Sequence, residues 1–223
     1  MSLTAKDAIL ERIRRANGAS SDDAARWNAV EERLAGSPRG VIPNRGQLKP
    51  AERVDLFIKM AETADATVKR LATIEDLPEE VARYLRDRNL PATIRRGSDT
   101  RFANLDFSAT SVEVTNGPSE GDDLNSLSHA EAGIAETGTL VLTSGPANPT
   151  SLNFLPENHI VVLDASSIEG GMEDAFGALR TKWGDPIPRT INTITGPSRS
   201  ADIEQTLLLG AHGPKALHIV ILG

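Results

Sequence analysis

Three short apolar runs constrain the fold of this chain more than any other feature. They are TLVLT at 139–143, NHIVVLDA at 158–165 and ALHIVIL at 216–222. Apolar runs of about four to eight residues between turns are typical of strands that are buried on both faces of a sheet. Segments with helical spacing lie between the strands, and this alternation predicts an α/β fold. We expect a three-layer αβα sandwich around a largely parallel sheet.

Helices are predicted where apolar residues recur every three or four positions. The clearest helix begins at Pro50, a residue that suits the first turn, and carries Val54, Phe57 and Ala61 on one side. Other helices are expected over 76–90, 128–135, 168–179 and 201–209, and other strands over 66–72, 91–96, 111–115 and 189–195.

The first 49 residues differ from the rest of the chain. They contain two amphipathic helix candidates and end in a connector rich in glycine and proline, so we interpret 1–49 as an N-terminal helical arm and 50–223 as the α/β domain. Trp27, Val30 and Leu34 form a narrow apolar stripe on the second helix. The stripe packs either on the chain's own domain or on a second subunit, which would make a homo-oligomer.

Composition excludes several classes of function. The formal net charge of −7 argues against a broad nucleic-acid surface. No stretch approaches the roughly 20 apolar residues of a membrane span, and an apolar signal core is missing, so we expect a cytoplasmic protein without a membrane span. The chain has no cysteine, and it therefore holds neither a disulfide nor a cysteine-bound iron–sulfur cluster.

The common cofactor and metal motifs are missing as well. No glycine-rich dinucleotide or triphosphate fingerprint follows a predicted strand. His129 and Glu131 match the H-x-E of zinc deaminases, but the cysteines that hold the zinc in that chemistry are lacking. None of the four histidines stands four positions from another, as a helical metal pair requires, and no metal site is predicted.

The segment TGPSRSADIEQTLLLGAHGP, residues 195–214, is the first candidate site. We expect Ser198 or Ser200 to cap a helix that begins near Ala201, at the carboxyl edge of the sheet, where free amides and Arg199 would bind a small carboxylate or phosphate. Asp202 would compete with such an anion, and His212 lies in the following loop. The alternative is that these residues only form two tight turns.

The segment AETGTL is the second candidate. Glu136 precedes Thr137 and Gly138 at the start of a predicted buried strand, where a carboxylate would serve as nucleophile, general base or hydrogen-bond acceptor. The alternative is a surface acid at a helix end. If the first reading holds, Glu136 faces the 195–214 segment across a crevice. In a third segment, NFLPENHIVV, we interpret Asn153 as part of a turn.

The motifs AETGTLVL, LPENHIVVL and TGPSRSADIEQTLLLGAHGPKALHIVIL, in this order, resemble the LUD-domain family and within it the lactate utilization protein C (LutC/YkgG) group. The resemblance covers about residues 50–223, and Ser200, Ala211 and Lys215 are conservative departures from its closing motif. It implies a fold like that of the NagB, RpiA and CoA-transferase superfamily. It also implies a role in oxidising L-lactate to pyruvate beside partner proteins that carry iron–sulfur clusters, which agrees with the lack of cysteine here.

Three functions remain open at this point. The leading one is an accessory subunit of an L-lactate oxidation system, in which Arg199 binds the carboxylate and His212 accepts the hydroxyl proton. The alternative is a stand-alone enzyme that resembles acyl- or CoA-transferases or cyclo-ligases and uses Glu136. The third is a scaffolding or regulatory module. The residues do not identify a cofactor.

Overall fold

The computed structural model describes residues 4–18, 23–36, 38–184, 186–203 and 206–223, and for 200–203 and 206–209 the backbone alone. The chain divides into two compact units, Met1–Val41 and Ile42–Gly223. The described helices are α1 Ala5–Ala16, α2 Ala24–Gly36, α3 Pro50–Thr63, α4 Leu77–Asp87, α5 Ser151–Phe154 and α6 Met172–Trp183. The described strands are β1 Thr67–Leu71, β2 Thr93–Arg96, β3 Glu113–Asn116, β4 Asn125–His129, β5 Ala132–Ile134, β6 Thr139–Thr143, β7 Asn158–Asp164, β8 Ile168–Glu169, β9 Ile191–Ile194, β10 Arg199–Ile203, β11 Thr206–Leu209 and β12 Ala216–Leu222.

The first unit consists of α1 and α2. Thr4 caps α1, because its side chain accepts a hydrogen bond from the Asp7 amide while the Asp7 carboxylate accepts one from the Thr4 amide. No described residue of either helix is buried. What the stripe of Trp27, Val30 and Leu34 packs against stays a prediction.

The second unit is built on a parallel six-stranded sheet with the order β1-β12-β7-β4-β2-β3. One face packs on α4, where Leu77, Val81 and Leu85 meet Ile160 and Val220. The prediction of an α/β sandwich with a largely parallel sheet is therefore confirmed, and the apolar runs 139–143, 158–165 and 216–222 form β6, β7 and β12. None of the described helices is long and apolar enough to cross a membrane.

The other face of the sheet packs on α3 together with a second sheet that the sequence did not predict. This sheet has the order β8-β5-β6-β9, and β6 runs antiparallel to both neighbours. Phe57 of α3 is completely buried in this layer, with Leu163 of β7 and Leu140 of β6 in the same core. On its outer side the second sheet carries α6, where Ala175 and Leu179 pack on Ile134.

Two of the predicted helices were wrong, and a third begins later than expected. Residues 128–135 form the end of β4 and all of β5, since Gly133 approaches its neighbours so closely that a Cβ would lie 2.8 Å from Leu163 Cδ2. Ile168 belongs to β8, and the following helix begins at Met172. The segment after Ser198 is the antiparallel hairpin β10–β11, in which Arg199 pairs with Leu209. Neither Ser198 nor Ser200 therefore caps a helix, and Asp202 lies in a strand rather than in a first helical turn.

Candidate functional site

A cleft of about 480 Å³ lies where the chain turns after β9 and again before β12. It is lined by residues 193–199 and 212–214, by Asn153 and Phe154 of α5, and by Ala64 after α3. Ser198, Arg199 and His212, predicted from the sequence as neighbours in one site, line it together. The position of the cleft differs from the expected one. The site was expected at the carboxyl edge of the parallel sheet. Because β9 belongs to the second sheet, the cleft lies instead beside the amino end of β12.

Ser198 joins the two loops that form the cleft. Its amide donates to Pro214 O at 2.8 Å, and its carbonyl oxygen accepts from the Gly210 amide at 3.0 Å. Its hydroxyl oxygen lies 3.4 Å from the His212 amide, which donates to it. Ser198 thus uses both backbone groups and the hydroxyl to hold His212 near Arg199, and the turn and binding readings of this segment are compatible.

Gly196 holds the first loop against α3. Its φ of +68° lies in the region that favours glycine, and a Cβ there would be 2.1 Å from the carbonyl oxygen of Ala64. The close approach leaves no room for a side chain. The wall of the cleft therefore depends on glycine at this position.

Arg199 forms an ion pair with Asp65, which directly follows Ala64. The two side chains are 43% and 54% exposed, so water and salt screen the pair, and exposed pairs of this kind contribute about 0–1 kcal/mol. A ligand carboxylate that binds Arg199 has to displace a weak partner rather than break a buried ion pair.

His212 stands between this cleft and a neighbouring one. The neighbouring cleft, of about 490 Å³, shares His212, Phe154 and Gly213 with the first. On its far side Lys215 donates to Glu157 at 2.7 Å. The His212 residue is exposed, and its ring is therefore accessible from solvent for proton exchange.

Asn153 is a cleft residue that the sequence analysis assigned only to a turn. It is completely buried, and its Oδ1 accepts a hydrogen bond from Ser128 Oγ at 3.4 Å. Its Nδ2 is buried without a hydrogen-bond partner among the described residues. An asparagine flanked by Leu152 and Phe154 in an apolar stretch was the available signal, because a polar residue in such a stretch tends to be buried.

Glu136 lies away from the cleft. Its Oε1 accepts a hydrogen bond from the Met172 amide at 3.1 Å, at the first residue of α6, where the helix dipole favours a carboxylate. The cleft lining does not include Glu136, Thr137 or Gly138. The carboxylate thus ends up at the start of a different helix from the one expected, and it does not face Arg199 and His212 across this cleft.

The neighbours of Glu136 shape the turn between β5 and β6. Gly138 has a φ of +66°, and a Cβ there would lie 2.3 Å from the Ala61 amide nitrogen. The Thr137 and Thr139 hydroxyls lie 2.7 Å apart, and Thr139 Oγ1 lies 2.7 Å from Thr195 Oγ1 in the cleft wall. This chain of hydroxyls connects the AETGTL segment to the cleft. The side chain of Asp202, the remaining candidate, lies outside the described residues.

A second polar group, which the sequence analysis did not assemble, lies at the carboxyl ends of the central strands. Both carboxylate oxygens of Asp99 accept hydrogen bonds from Arg101, at 2.9 and 2.5 Å. Arg101 also donates to Glu131 at 3.2 Å, and Lys182 donates to Glu131 at 2.6 Å. We call Asp99, Arg101, Glu131 and Lys182, with His129 and Asp164, the carboxyl-edge cluster.

The acids of this cluster are held ionised. Burial alone would raise the pKa of Asp99, but the hydrogen bonds from Arg101 hold that pKa below its usual range. Burial likewise opposes ionisation of Glu131, and the bonds from Lys182 and Arg101 lower its pKa. His129, whose Nε2 lies 3.4 Å from Asp164 Oδ2, lowers the pKa of Asp164. Among the described residues, no group of three or more histidine, aspartate or glutamate side chains is arranged so that it could hold a metal ion.

Two further histidines are buried on the parallel sheet. His218 stacks on Tyr84 at 4.3 Å, and its ring nitrogens lie 3.0 Å from Glu80 Oε1 and 2.8 Å from Thr67 Oγ1. Burial opposes ionisation of Glu80, but its bonds to His218 and Arg83 lower its pKa to about 2. Complete burial of His159 lowers its pKa to about 3, so this ring is neutral.

Similarity to known proteins agrees with the fold and with the cleft segment. The LUD domain model matches residues 125–222, which include all cleft residues except Ala64. A crystal structure of a DUF162 family protein from Deinococcus radiodurans is similar with a TM-score of 0.59 over 79% of this chain and 99% of that chain. At 19% identity, this likeness supports the fold alone.

Curated relatives extend the match. Lactate utilization protein C of Geobacillus thermodenitrificans is 36% identical over 143 residues, 55% of this chain and 60% of that protein. The protein of the same name from Bacillus licheniformis is 42% identical over 98 residues, 43% of this chain. The alignments span only 60% and 41% of these two relatives' lengths.

A longer match comes from Escherichia coli. The uncharacterized protein YkgG is 30% identical over 216 residues, which cover 90% of this chain and 88% of YkgG. This chain therefore belongs to the LUD-domain family, in the lactate utilization protein C (LutC/YkgG) group.

Proposed function

We propose that this chain takes part in lactate utilization and binds a small carboxylate, L-lactate or pyruvate, in the cleft. The observation that carries the proposal is that one cleft brings together Ser198, Arg199 and His212, in a chain whose relatives are named lactate utilization protein C. The full proposal is an accessory subunit of a cytoplasmic L-lactate oxidation system.

In this proposal Arg199 holds the ligand carboxylate. A guanidinium offers two parallel N–H donors to the two oxygens of a carboxylate, and Asp65, its partner in the free protein, is replaced by the ligand. Because the Arg199–Asp65 pair is exposed, the exchange costs little.

His212 takes the proton of the lactate hydroxyl. Oxidation of L-lactate to pyruvate removes the hydroxyl proton, and the C2–H bond breaks with its electron pair. An imidazole suits the first task because its ordinary pKa lies close to neutrality. The electron pair and the proton of C2–H pass to an acceptor outside this chain. We assign to partner proteins both this two-electron acceptor and the iron–sulfur clusters that carry its electrons away one at a time, since this chain has no cysteine to bind a cluster.

The test is a titration of the purified protein with L-lactate and with pyruvate, followed by calorimetry or NMR. Arg199→Ala is expected to weaken binding of both acids about tenfold or more, because it removes a charge-assisted pair of hydrogen bonds. His212→Ala should weaken L-lactate more than pyruvate, which has no hydroxyl proton to give. Arg70→Ala, which removes another half-exposed arginine in a weak ion pair on β1, is the matched control.

Unchanged affinity in both cleft variants would refute the cleft as the lactate site. The wider proposal is tested in cells. Deletion of the gene should abolish growth on L-lactate, and the tagged chain should co-purify with iron–sulfur proteins. Normal growth on L-lactate after deletion, without any such partner, would contradict the assignment to lactate oxidation.

A further inference from the structure

Asn153 has a polar group that the fold does not satisfy. The residue is completely buried, and its Nδ2 has no partner among the described residues, although the side chain's Oδ1 is used by Ser128. A buried amide N–H without an acceptor is unfavourable, because it has given up its hydrogen bonds to water and gained none in return. Such a cost persists in a protein where the group has another use.

The position of Asn153 indicates that use. It lies on α5 in the lining of the cleft, next to Phe154, and the same cleft contains Arg199 and His212. Asn153 therefore places a neutral amide in the wall of the cleft. An N–H donor that lacks a partner is complementary to an acceptor oxygen of a ligand.

An acid that has only a carboxylate is satisfied by Arg199. The hydroxyl oxygen of a 2-hydroxy acid and the carbonyl oxygen of a 2-oxo acid are both further acceptors, one carbon away from the carboxylate. The Asn153 amide is neutral, so it donates equally well to either oxygen, before and after an oxidation at C2.

We propose that Asn153 selects 2-hydroxy and 2-oxo acids over simple carboxylic acids by donating its Nδ2–H to the oxygen on C2. The inference rests on the proposed function, since it assumes that the cleft binds a carboxylate. It adds a residue to the site and a physical basis for its choice among carboxylic acids. Asn153 is a binding residue that fixes the C2 oxygen and takes no proton.

The experiment compares pyruvate with propionate, which has the same carbon chain and carboxylate but no oxygen on C2. Binding of each acid is measured by calorimetry or by ligand-observed NMR. The native chain is expected to bind pyruvate about tenfold or more tightly than propionate, because one acceptor oxygen finds a buried donor. Asn153→Leu, which keeps the size but removes the donor, should bring the two affinities together while propionate binding stays the same.

Asn192→Leu is the matched control. Asn192 lies on β9 beside the cleft and also has an Nδ2 without a partner among the described residues, but it is not part of the cleft lining. The preference for pyruvate should survive this change. A thermal melt of Asn153→Leu without ligand provides a second measurement. Asn153→Leu also removes the Oδ1 that accepts from Ser128 Oγ, so its melting temperature is compared with that of Ser128→Ala, which loses the same bond but keeps Nδ2. Since Nδ2 has no partner among the described residues, the two variants should melt within about 2 °C of each other.

The outcomes separate the two claims. If the native chain binds neither acid, the proposed function fails and the inference fails with it. If both acids bind and Asn153→Leu keeps the native preference for pyruvate, the inference alone is wrong. A melting temperature of Asn153→Leu several degrees below that of Ser128→Ala would also overturn it, because the Nδ2 donor would then stabilise the free protein.

Discussion

The cleft and the carboxyl-edge cluster are two polar regions of the same unit with opposite construction. In the cluster, Asp99, Arg101 and Glu131 bond to one another, and Lys182 completes the group. In the cleft, Asn153 has a donor without a partner among the described residues and His212 is exposed. Parallel α/β sheets commonly bind their ligands at this carboxyl edge. In this protein the charged side chains at that edge are already paired with one another. The polar side chains that can bind a ligand lie at the other end of β12.

The largest predicted effect separates the two regions by stability. Asp99→Ala leaves the Arg101 guanidinium with Glu131 as its remaining carboxylate partner in a mostly buried place. Removing one partner of a fully buried pair costs about 3–5 kcal/mol. Because Arg101 is 33% exposed and keeps Glu131, we expect the free energy of unfolding to fall by about 3 kcal/mol, the low end of that range. Urea denaturation measures it. A loss below about 1 kcal/mol would show that the cluster does not stabilise the fold.

A second prediction concerns the wall of the cleft. Gly196→Ala forces a Cβ toward the Ala64 carbonyl and imposes a positive φ on alanine, so the turn has to move. We expect a loss of about 2 kcal/mol in unfolding free energy and weaker binding of pyruvate. Gly177→Ala, at an α6 position where a Cβ would meet nothing within 4 Å, is the control and should be neutral or slightly stabilising. Equal behaviour of the two variants would contradict the close approach.

The sequence predicted the frame of the molecule better than its site. Strand β12 and helix α3 were predicted correctly. Ile219 and Phe57 belong to apolar patterns that are long enough to fit a strand in the first case and a helix in the second, and not the other element. The helices predicted over 128–135 and 201–209 were wrong because small or mixed side chains fit a helix or a strand equally well. For the first segment, the close approach of Gly133 to Leu163 is a contact that no local pattern shows.

The site shows the same limit. Ser198, Arg199 and His212 line one cleft because the hairpin between them pairs Arg199 with Leu209 and returns the chain to Ser198. Asn153 was not added, and Glu136 was grouped with them wrongly, because both assignments depend on contacts between segments far apart in the chain. The pairing of Arg101 with Glu131, 30 positions away, left no local pattern in the sequence.

The smallest predicted effect is the pH dependence of the cluster. The folded-state pKa of Glu131 is lowered from 4.5, so its stabilisation is complete above pH 4.5 and is lost as the pH falls through the lower, folded value. Glu131→Gln should therefore cost about 1 kcal/mol at pH 7 and flatten the loss of stability below pH 4.5. Denaturation midpoints measured at several pH values give both quantities. If Glu131→Gln and the native chain lose stability equally steeply below pH 4.5, Lys182 and Arg101 do not lower the pKa of Glu131.

The central claim is that the ligand binds in the cleft and not at the carboxyl edge of the sheet. The most direct measurement is a map of backbone amide chemical shifts while pyruvate is added to the native chain. The account predicts saturable shifts at Ser198, His212 and Asn153, with His129 and Asp164 unmoved. Saturable shifts centred on His129 and Asp164, with the cleft amides unmoved, would contradict it.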